Sequence, residues 1–208
     1  MSDAAFTDPA LTWNERFATA DYHFGEEPNA YLRENLVHLP PAGRVLCVAD
    51  GEGRNSVWLA GRGFAVDAFD IAERGVAKAR ALALRHGVTV HFEVASADDW
   101  HWPVDAYDAV AAIFVQFADP AMRARLFDHM IRALKPGGIL ILQGYTPKQL
   151  EFKTGGPPEV SHLYTAELLR EAFASLEILE LREYEGDLAE GTRHRGRSAV
   201  IGMVARKP

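Results

Sequence analysis

The chain has 208 residues, 48% of them apolar and 25% charged, the proportions of one ordinary globular domain with material for a core. With 22 basic and 29 acidic residues it carries a net charge of −7, which repels phosphate backbones and argues against nucleic-acid partners. Every apolar stretch breaks before about 18 residues, the opening MSDAAFTDPA lacks a signal-peptide pattern, and Cys47 is the single cysteine, so a cytoplasmic protein without membrane span, disulfide framework or metal site is expected.

Residues 1–43 mix helix and loop. Ala30 to Leu39 has helical spacing at Tyr31, Leu32, Leu36 and Leu39, with Asn29 as N-cap and Pro40, Pro41 and Gly43 as its end. Arg44 to Ala49 is a short apolar run of the kind buried on both faces of a parallel sheet. Asp50 to Gly53 is a glycine turn, and a helix follows over Asn55 to Arg62. Phe64 to Phe69 is a second strand ending in Asp70, Glu73 to His86 an alanine-rich helix closed by Gly87, and Val88 to Val94 a third strand. Tyr107 to Val115 is a fourth strand, Ala121 to Leu134 a helix, Lys135 to Gly138 a turn and Ile139 to Gln143 a fifth strand. Thr165 caps a helix running to Ala174, and Glu177 to Arg182 and Ser198 to Ala205 are two last strands joined by a longer loop.

Strands alternating with helices imply a parallel sheet with right-handed crossovers, and the last two strands, with no helix between them, pair antiparallel. The expected fold is α/β: a doubly wound, mainly parallel, seven-stranded sheet with an antiparallel C-terminal strand. It forms one domain over residues 1–208, with 1–43 as an N-terminal helical segment and 44–208 as the sheet core.

In such sheets a ligand sits beyond the carboxyl ends of the strands, beside strand one. Ala49, Asp50, Gly51, Glu52, Gly53, Arg54 and Asn55 occupy that place. Gly51 and Gly53 let the backbone turn sharply and approach a ligand without a Cβ in the way. Asp70, 19 residues after Gly51, offers two carboxylate oxygens to the two hydroxyls of a ribose. An ordinary strand–helix turn with a capping aspartate has the same appearance. A dinucleotide site wants a third glycine or alanine, where Ser56 stands, and the chain has no room for a second domain. S-adenosylmethionine carries no phosphate and needs only close backbone approach.

The chain resembles class I S-adenosylmethionine-dependent methyltransferases, and among them the small tellurite-resistance and thiopurine-methyltransferase-like group. The resemblance rests on Trp13-Asn-Glu-Arg-Phe17, Tyr22-His-Phe-Gly25 with Pro28-Asn29, VLCVADGEGRNSVWLA from Val45 to Ala60, Asp70-Ile71, Tyr107-Asp-Ala-Val110 and Leu134-Lys-Pro-Gly-Gly138. It implies a Rossmann-like methyltransferase fold, S-adenosylmethionine as cofactor with S-adenosylhomocysteine as product, and a small-molecule methyl acceptor. The cofactor contacts it implies are Trp13, Arg16, Ala49, Asp50, Gly51, Gly53, Asn55, Asp70, Ile71, Ser96, Ala97, Asp98, Ile113 and Gln116. Cys47 stands where the family pattern has an acid that helps place the cofactor's amino-acid end, and Ala49 where it has a glycine. Asp50 is the candidate to replace part of the lost contact. At the end of strand three, where the family pattern has an acid for the adenine amine, Ser96 falls nearest, with Asp98 and Asp99 close behind, and any of the three can meet it.

The acceptor side is less legible. Phe114 and Phe117 after strand four suit either the core or a sulfonium, since a cation sits well on a ring face. Trp13 to Pro28 is expected to act as a lid, with Arg16 reaching a carboxylate. The loops 149–158 and 186–196 are candidate pocket walls. His194, among Arg193, Arg195 and Arg197, is the favoured general base, with no diagnostic spacing to set it above His162. A thiol, thiopurine-like compound or chalcogen oxyanion needs little help from a base. The rival is a non-catalytic S-adenosylmethionine-binding regulatory module, and the oligomer is left as monomer or homodimer.

Overall fold

The computed structural model describes residues 8–191 and 194–208, with side chains for 8–191 and 196–208. Its centre is a seven-stranded sheet in the order β3-β2-β1-β4-β5-β7-β6. The strands are β1 (Arg44–Cys47), β2 (Ala65–Asp70), β3 (His91–Val94), β4 (Tyr107–Ile113), β5 (Leu134–Tyr145), β6 (Glu177–Glu190) and β7 (His194–Arg206). β1 pairs in parallel with both β2 and β4, while β7 runs antiparallel between β5 and β6. The helices are α1 (Pro9–Arg16), α2 (Ala30–Glu34), α3 (Arg54–Ala60), α4 (Glu73–His86), α5 (Pro120–Ala133), α6 (Gln149–Phe152) and α7 (Ala166–Ala172).

Both faces of the central strands are buried, which is why these strands read as unbroken apolar runs. Leu46, Val110, Ala112, Leu140 and Leu142 join one core cluster, with Phe127 and Met130 of α5 and Leu169 of α7. Their neighbours Val45, Cys47, Ala109, Ala111, Ile139 and Ile141 join another, with Tyr31 and Leu32 of α2 and Leu59 of α3. No helix among the described residues is long and apolar enough to cross a membrane.

Several boundaries move, each for a local reason. β1 stops at Cys47 rather than Ala49, because Ala49 turns into the left-handed region at φ +47°. β4 stops at Ile113, where Phe114 does the same at φ +56°. The helix from Ala30 gives way to a 3-10 turn over Asn35–His38, where the Asn35 amide bonds the Tyr31 carbonyl. Residues 135–138 continue β5 instead of forming a separate turn, with a register shift opposite Tyr107 and Ala109.

The largest difference is at the C-terminus. The expected long loop 186–196 is mostly ribbon, since β6 and β7 stay paired from Tyr184–Val200 out to Glu190–His194. β5 leaves the sheet at the Tyr145–Val200 pair, so the hairpin overshoots it and projects beyond the carboxyl edge.

Candidate cofactor site

The site begins where β1 leaves the sheet. The Val48 N–H donates to the Ala111 carbonyl of β4 and the Asp50 N–H to the Phe69 carbonyl of β2, so the chain is held on both sides as it turns. Gly51 at φ +62° and Gly53 at φ +90° take conformations that L side chains resist. The Asp70 carboxylate then fixes the turn: Oδ2 accepts the Gly51 N–H and Oδ1 the Ala72 N–H, both at 2.8 Å. Burial pushes its pKa up to about 6 against the pull of those two hydrogen bonds.

The two glycines serve different ends. A Cβ on Gly53 would lie 2.7 Å from the Ala79 Cβ of α4, so this glycine lets α3 and α4 pack and does not wait for a ligand. A Cβ on Gly51 would meet only the Phe17 ring, at 3.4 Å. Of the two, only Gly51 has room on its Cβ side, bounded by Phe17.

Asp50 immediately precedes Gly51. Ser56 donates to its Oδ2, while Oδ1 is buried and has no hydrogen-bond partner. Desolvation, the largest cause, pushes its pKa up to about 7, with the Ser56 hydroxyl opposing and the Asp70 charge adding. The neighbouring Cys47 is fully buried, and burial raises its thiol, which makes it an inert core residue.

The N-terminal segment lies across this turn. Phe17 is buried, and its ring stacks on Trp13 at 5.5 Å. Arg16 lies over the Trp13 ring at 4.6 Å and faces solvent. Hydrogen bonds from the Arg74 N–H to Asn14, from Tyr22 to the Lys78 carbonyl, and from the His23 N–H to Glu52 tie the segment to α4 and the glycine turn. Glu52 is buried and ion-paired with Lys78.

On the opposite flank a buried polar network closes the site, and sequence reasoning missed it. Asn55 accepts the Asn29 N–H at 2.9 Å. The Asn29 side chain caps α2 and donates to Gln143 at 2.7 Å and to Glu190 at 2.8 Å. Glu190 pairs with Arg54 at 2.8 Å, both side chains about nine-tenths buried. Gln143 in turn donates to the Tyr184 hydroxyl at 2.6 Å. Arg54 and Asn55 lie inside the GEGRN motif, the one local signal; Asn29 and the hairpin residue Glu190, which they meet, carry no such signal.

The other expected residues fall as follows. Ile71 and Ile113 are half-buried at the ends of β2 and β4. Ser96 bonds Asp99 at 2.6 Å, and the Ala97 carbonyl accepts the Trp102 indole N–H. Asp98 turns outward into a two-pronged pair with Arg125, which holds its carboxyl below the usual range. Gln116 is a structural tie: its amide N–H groups reach the Tyr145 and His162 carbonyls and its oxygen accepts the Tyr145 N–H. The Phe114 ring packs on Tyr145 at 4.6 Å. The His162 ring nitrogen Nδ1 meets the Gln116 carbonyl at 3.1 Å. The side chains of His194 and Arg195, and all of Arg193, lie outside the described residues.

Residues 45–138, just under half of the chain, match the family model of the methyltransferase domain. An uncharacterised protein of Mycobacterium tuberculosis is 32% identical over 142 residues, 66% of this chain and 51% of its own length. A ubiquinone biosynthesis O-methyltransferase of Paramagnetospirillum magneticum is 34% identical over 119 residues, 57% of this chain and 45% of its own length. The chain thus spans about half the length of the curated relatives it matches. Among solved structures, the N-methyltransferase NodS of Bradyrhizobium japonicum, in complex with S-adenosylhomocysteine, superposes with a TM-score of 0.73. That likeness has 16% identity and covers 96% of this chain and 98% of the other, so it speaks for the fold. The fold is that of the S-adenosylmethionine-dependent methyltransferases, and the segment matching their methyltransferase domain is the one that carries the glycine turn and Asp70.

Proposed function

We propose that the chain is an S-adenosylmethionine-dependent methyltransferase acting on a small molecule. The observation that carries this reading is the Gly51–Asp70 cradle at the carboxyl edge of the sheet, inside the matched segment. The residues present fit the cofactor. Each Asp70 oxygen gives one acceptor direction to a backbone N–H and keeps another for a ribose hydroxyl. Ile71 offers an apolar edge for the adenine, Ser96 and Ala97 line the same end, and Ile113 lies toward the methionine end. Asp50 contributes an unsatisfied buried acceptor at the turn.

When bound, the cofactor supplies a methyl group on a positively charged sulfur. The protein's part is to hold the acceptor in line with it and keep water out, which accounts for much of the acceleration in such displacements. The segment 13–28 acts as a lid, for Phe17 already covers Gly51. Phe114 and Tyr145 give the acceptor side an aromatic wall. Such a wall suits a soft, polarisable nucleophilic atom, and we place the acceptor among thiols, thiopurine-like compounds and chalcogen oxyanions. The relatives named as O- and N-methyltransferases carry the fold with other acceptor atoms.

Calorimetry and thermal unfolding with S-adenosylhomocysteine and with NAD test the cofactor. At 100 times its dissociation constant the first should stabilise by about 2.7 kcal/mol, and the second should do nothing. An equal response to both overturns the reading. Trypsin cleavage at Arg16 should slow when S-adenosylhomocysteine is added; equal cleavage removes the lid. Product formation with a thiol, a thiopurine and tellurite, compared with a catechol, tests the acceptor class.

A further inference from the structure

The N-terminal segment and the end of the β6–β7 hairpin meet beside Arg54, and they meet backbone to backbone. A Cβ on Gly191 would lie 2.4 Å from the Phe24 carbonyl carbon, and 2.5 Å from both the Gly25 nitrogen and the His23 carbonyl oxygen. A Cβ on Gly25 would lie 3.1 Å from the Gly191 nitrogen. Both glycines also hold left-handed backbone, Gly25 at φ +75° and Gly191 at φ +62°. Arg54 bonds the two sides at once, donating to the Phe24 carbonyl at 3.3 Å and pairing with Glu190. The other edge of the segment is clasped along α4. There Lys78 donates to the Thr19 and Asp21 carbonyls, and Tyr22 donates to the Lys78 carbonyl.

We propose that the hairpin at Gly191 is the seat on which the N-terminal lid closes, and that the lid parts from it there to open the site on the acceptor side. This deepens the lid reading above and rests on it. A lid that only lay on Gly51 through Phe17 would need nothing from the C-terminal hairpin. Here its edge fits against the hairpin backbone, and the fit exists because neither Gly25 nor Gly191 carries a side chain. Glu190 precedes Gly191 and is held by Arg54 and Asn29, so the hairpin offers a fixed edge to close against. A segment clasped along one edge and butted against a seat at the other opens at the seat, as lids do about a few fixed residues. Tyr145, one half of the aromatic acceptor wall, stands close enough to Glu190 and Arg54 to feel both charges. The opening therefore faces that wall and not the Asp70 end of the turn.

The test measures backbone hydrogen exchange of the ligand-free protein, and the release rate of S-adenosylhomocysteine, in the wild type, Gly191→Ala and Gly186→Ala. Gly186 lies in the same hairpin outside the left-handed region, and a Cβ there meets nothing within 4 Å, so its variant controls for the hairpin itself. Gly191→Ala should speed exchange over residues 19–28 by about tenfold, because its Cβ conflicts with the closed lid, and leave exchange in α5 unchanged. S-adenosylhomocysteine should leave it about tenfold faster, while Gly186→Ala stays within about twofold of the wild type on both measures. If Gly191→Ala does not fold, Gly25→Ala makes the same comparison from the lid side, with a rise of about threefold. Unchanged exchange over 19–28 in the folded variant overturns the seat. A rise of equal size in α5 also overturns it, since that is a loss of global stability. Failure of the wild type to bind S-adenosylhomocysteine would remove the cofactor reading, and the ligand-free exchange would still decide the seat.

Discussion

The two flanks of the carboxyl edge are built by different means. On the β1–β2 flank the contacts are backbone amides: Gly51 and Ala72 donate to Asp70, and Asp50 donates to the Phe69 carbonyl. Their partners lie at most 19 residues apart. On the hairpin flank most contacts run side chain to side chain, and the longest-range partners lie 114 to 161 residues apart, as in Asn29–Gln143, Arg54–Glu190 and Asn29–Glu190. A turn closed by its own backbone tolerates side-chain change outside its glycines and one acid. A wall held by a buried network depends on every member, since each lost partner strands another buried polar group.

The largest effect that follows is at Glu190. Replacing Glu190 by Ala leaves the Arg54 guanidinium buried without its carboxylate and takes an acceptor from Asn29, and should cost about 3–5 kcal/mol in urea unfolding. A cost below about 1 kcal/mol would show that the hairpin end separates from α3 freely in solution.

The glycine turn should separate folding from binding. Gly53→Ala places a Cβ against α4 in a left-handed conformation and should destabilise the protein by about 2–4 kcal/mol. Gly51→Ala meets only the edge of Phe17, so its stability cost should stay near about 1–2 kcal/mol, while S-adenosylhomocysteine binding suffers more. Equal stability costs at the two positions would end the distinction between a packing glycine and an approach glycine.

Asp70→Ala should weaken S-adenosylhomocysteine by about 1.5–3 kcal/mol by calorimetry, since it removes hydrogen bonds to a charged group. Part of that loss comes through the turn, because the Gly51 amide is released at the same time. The smallest effect is expected at Asp98. Its pair with Arg125 has the same 2.8 Å separation as Arg54–Glu190, but its side chains are about half exposed rather than nine-tenths buried. Asp98→Ala should therefore leave the melting temperature within about 2 °C. A larger fall would mean that this surface pair organises the loop after β3.

The sequence by itself determined the alternation of strands and helices, the antiparallel pairing of the last two strands, the place of the glycine turn and the acid at the end of β2. Each of these is carried by short-range signals: apolar runs, an N-cap, a glycine after a helix, an acid at strand length from a turn. It also marked Asn29 as a cap, and Asn29 does cap α2. Only the tertiary structure decided what else Asn29 does, that Gly53 serves α4 while Gly51 faces the Phe17 ring, that Asp98 turns to Arg125 and Gln116 to the backbone of β5, and that the hairpin continues as ribbon past the sheet. The reason is physical: these outcomes depend on which distant side chains reach one another once the sheet has closed, and spacing along the chain carries no record of such meetings.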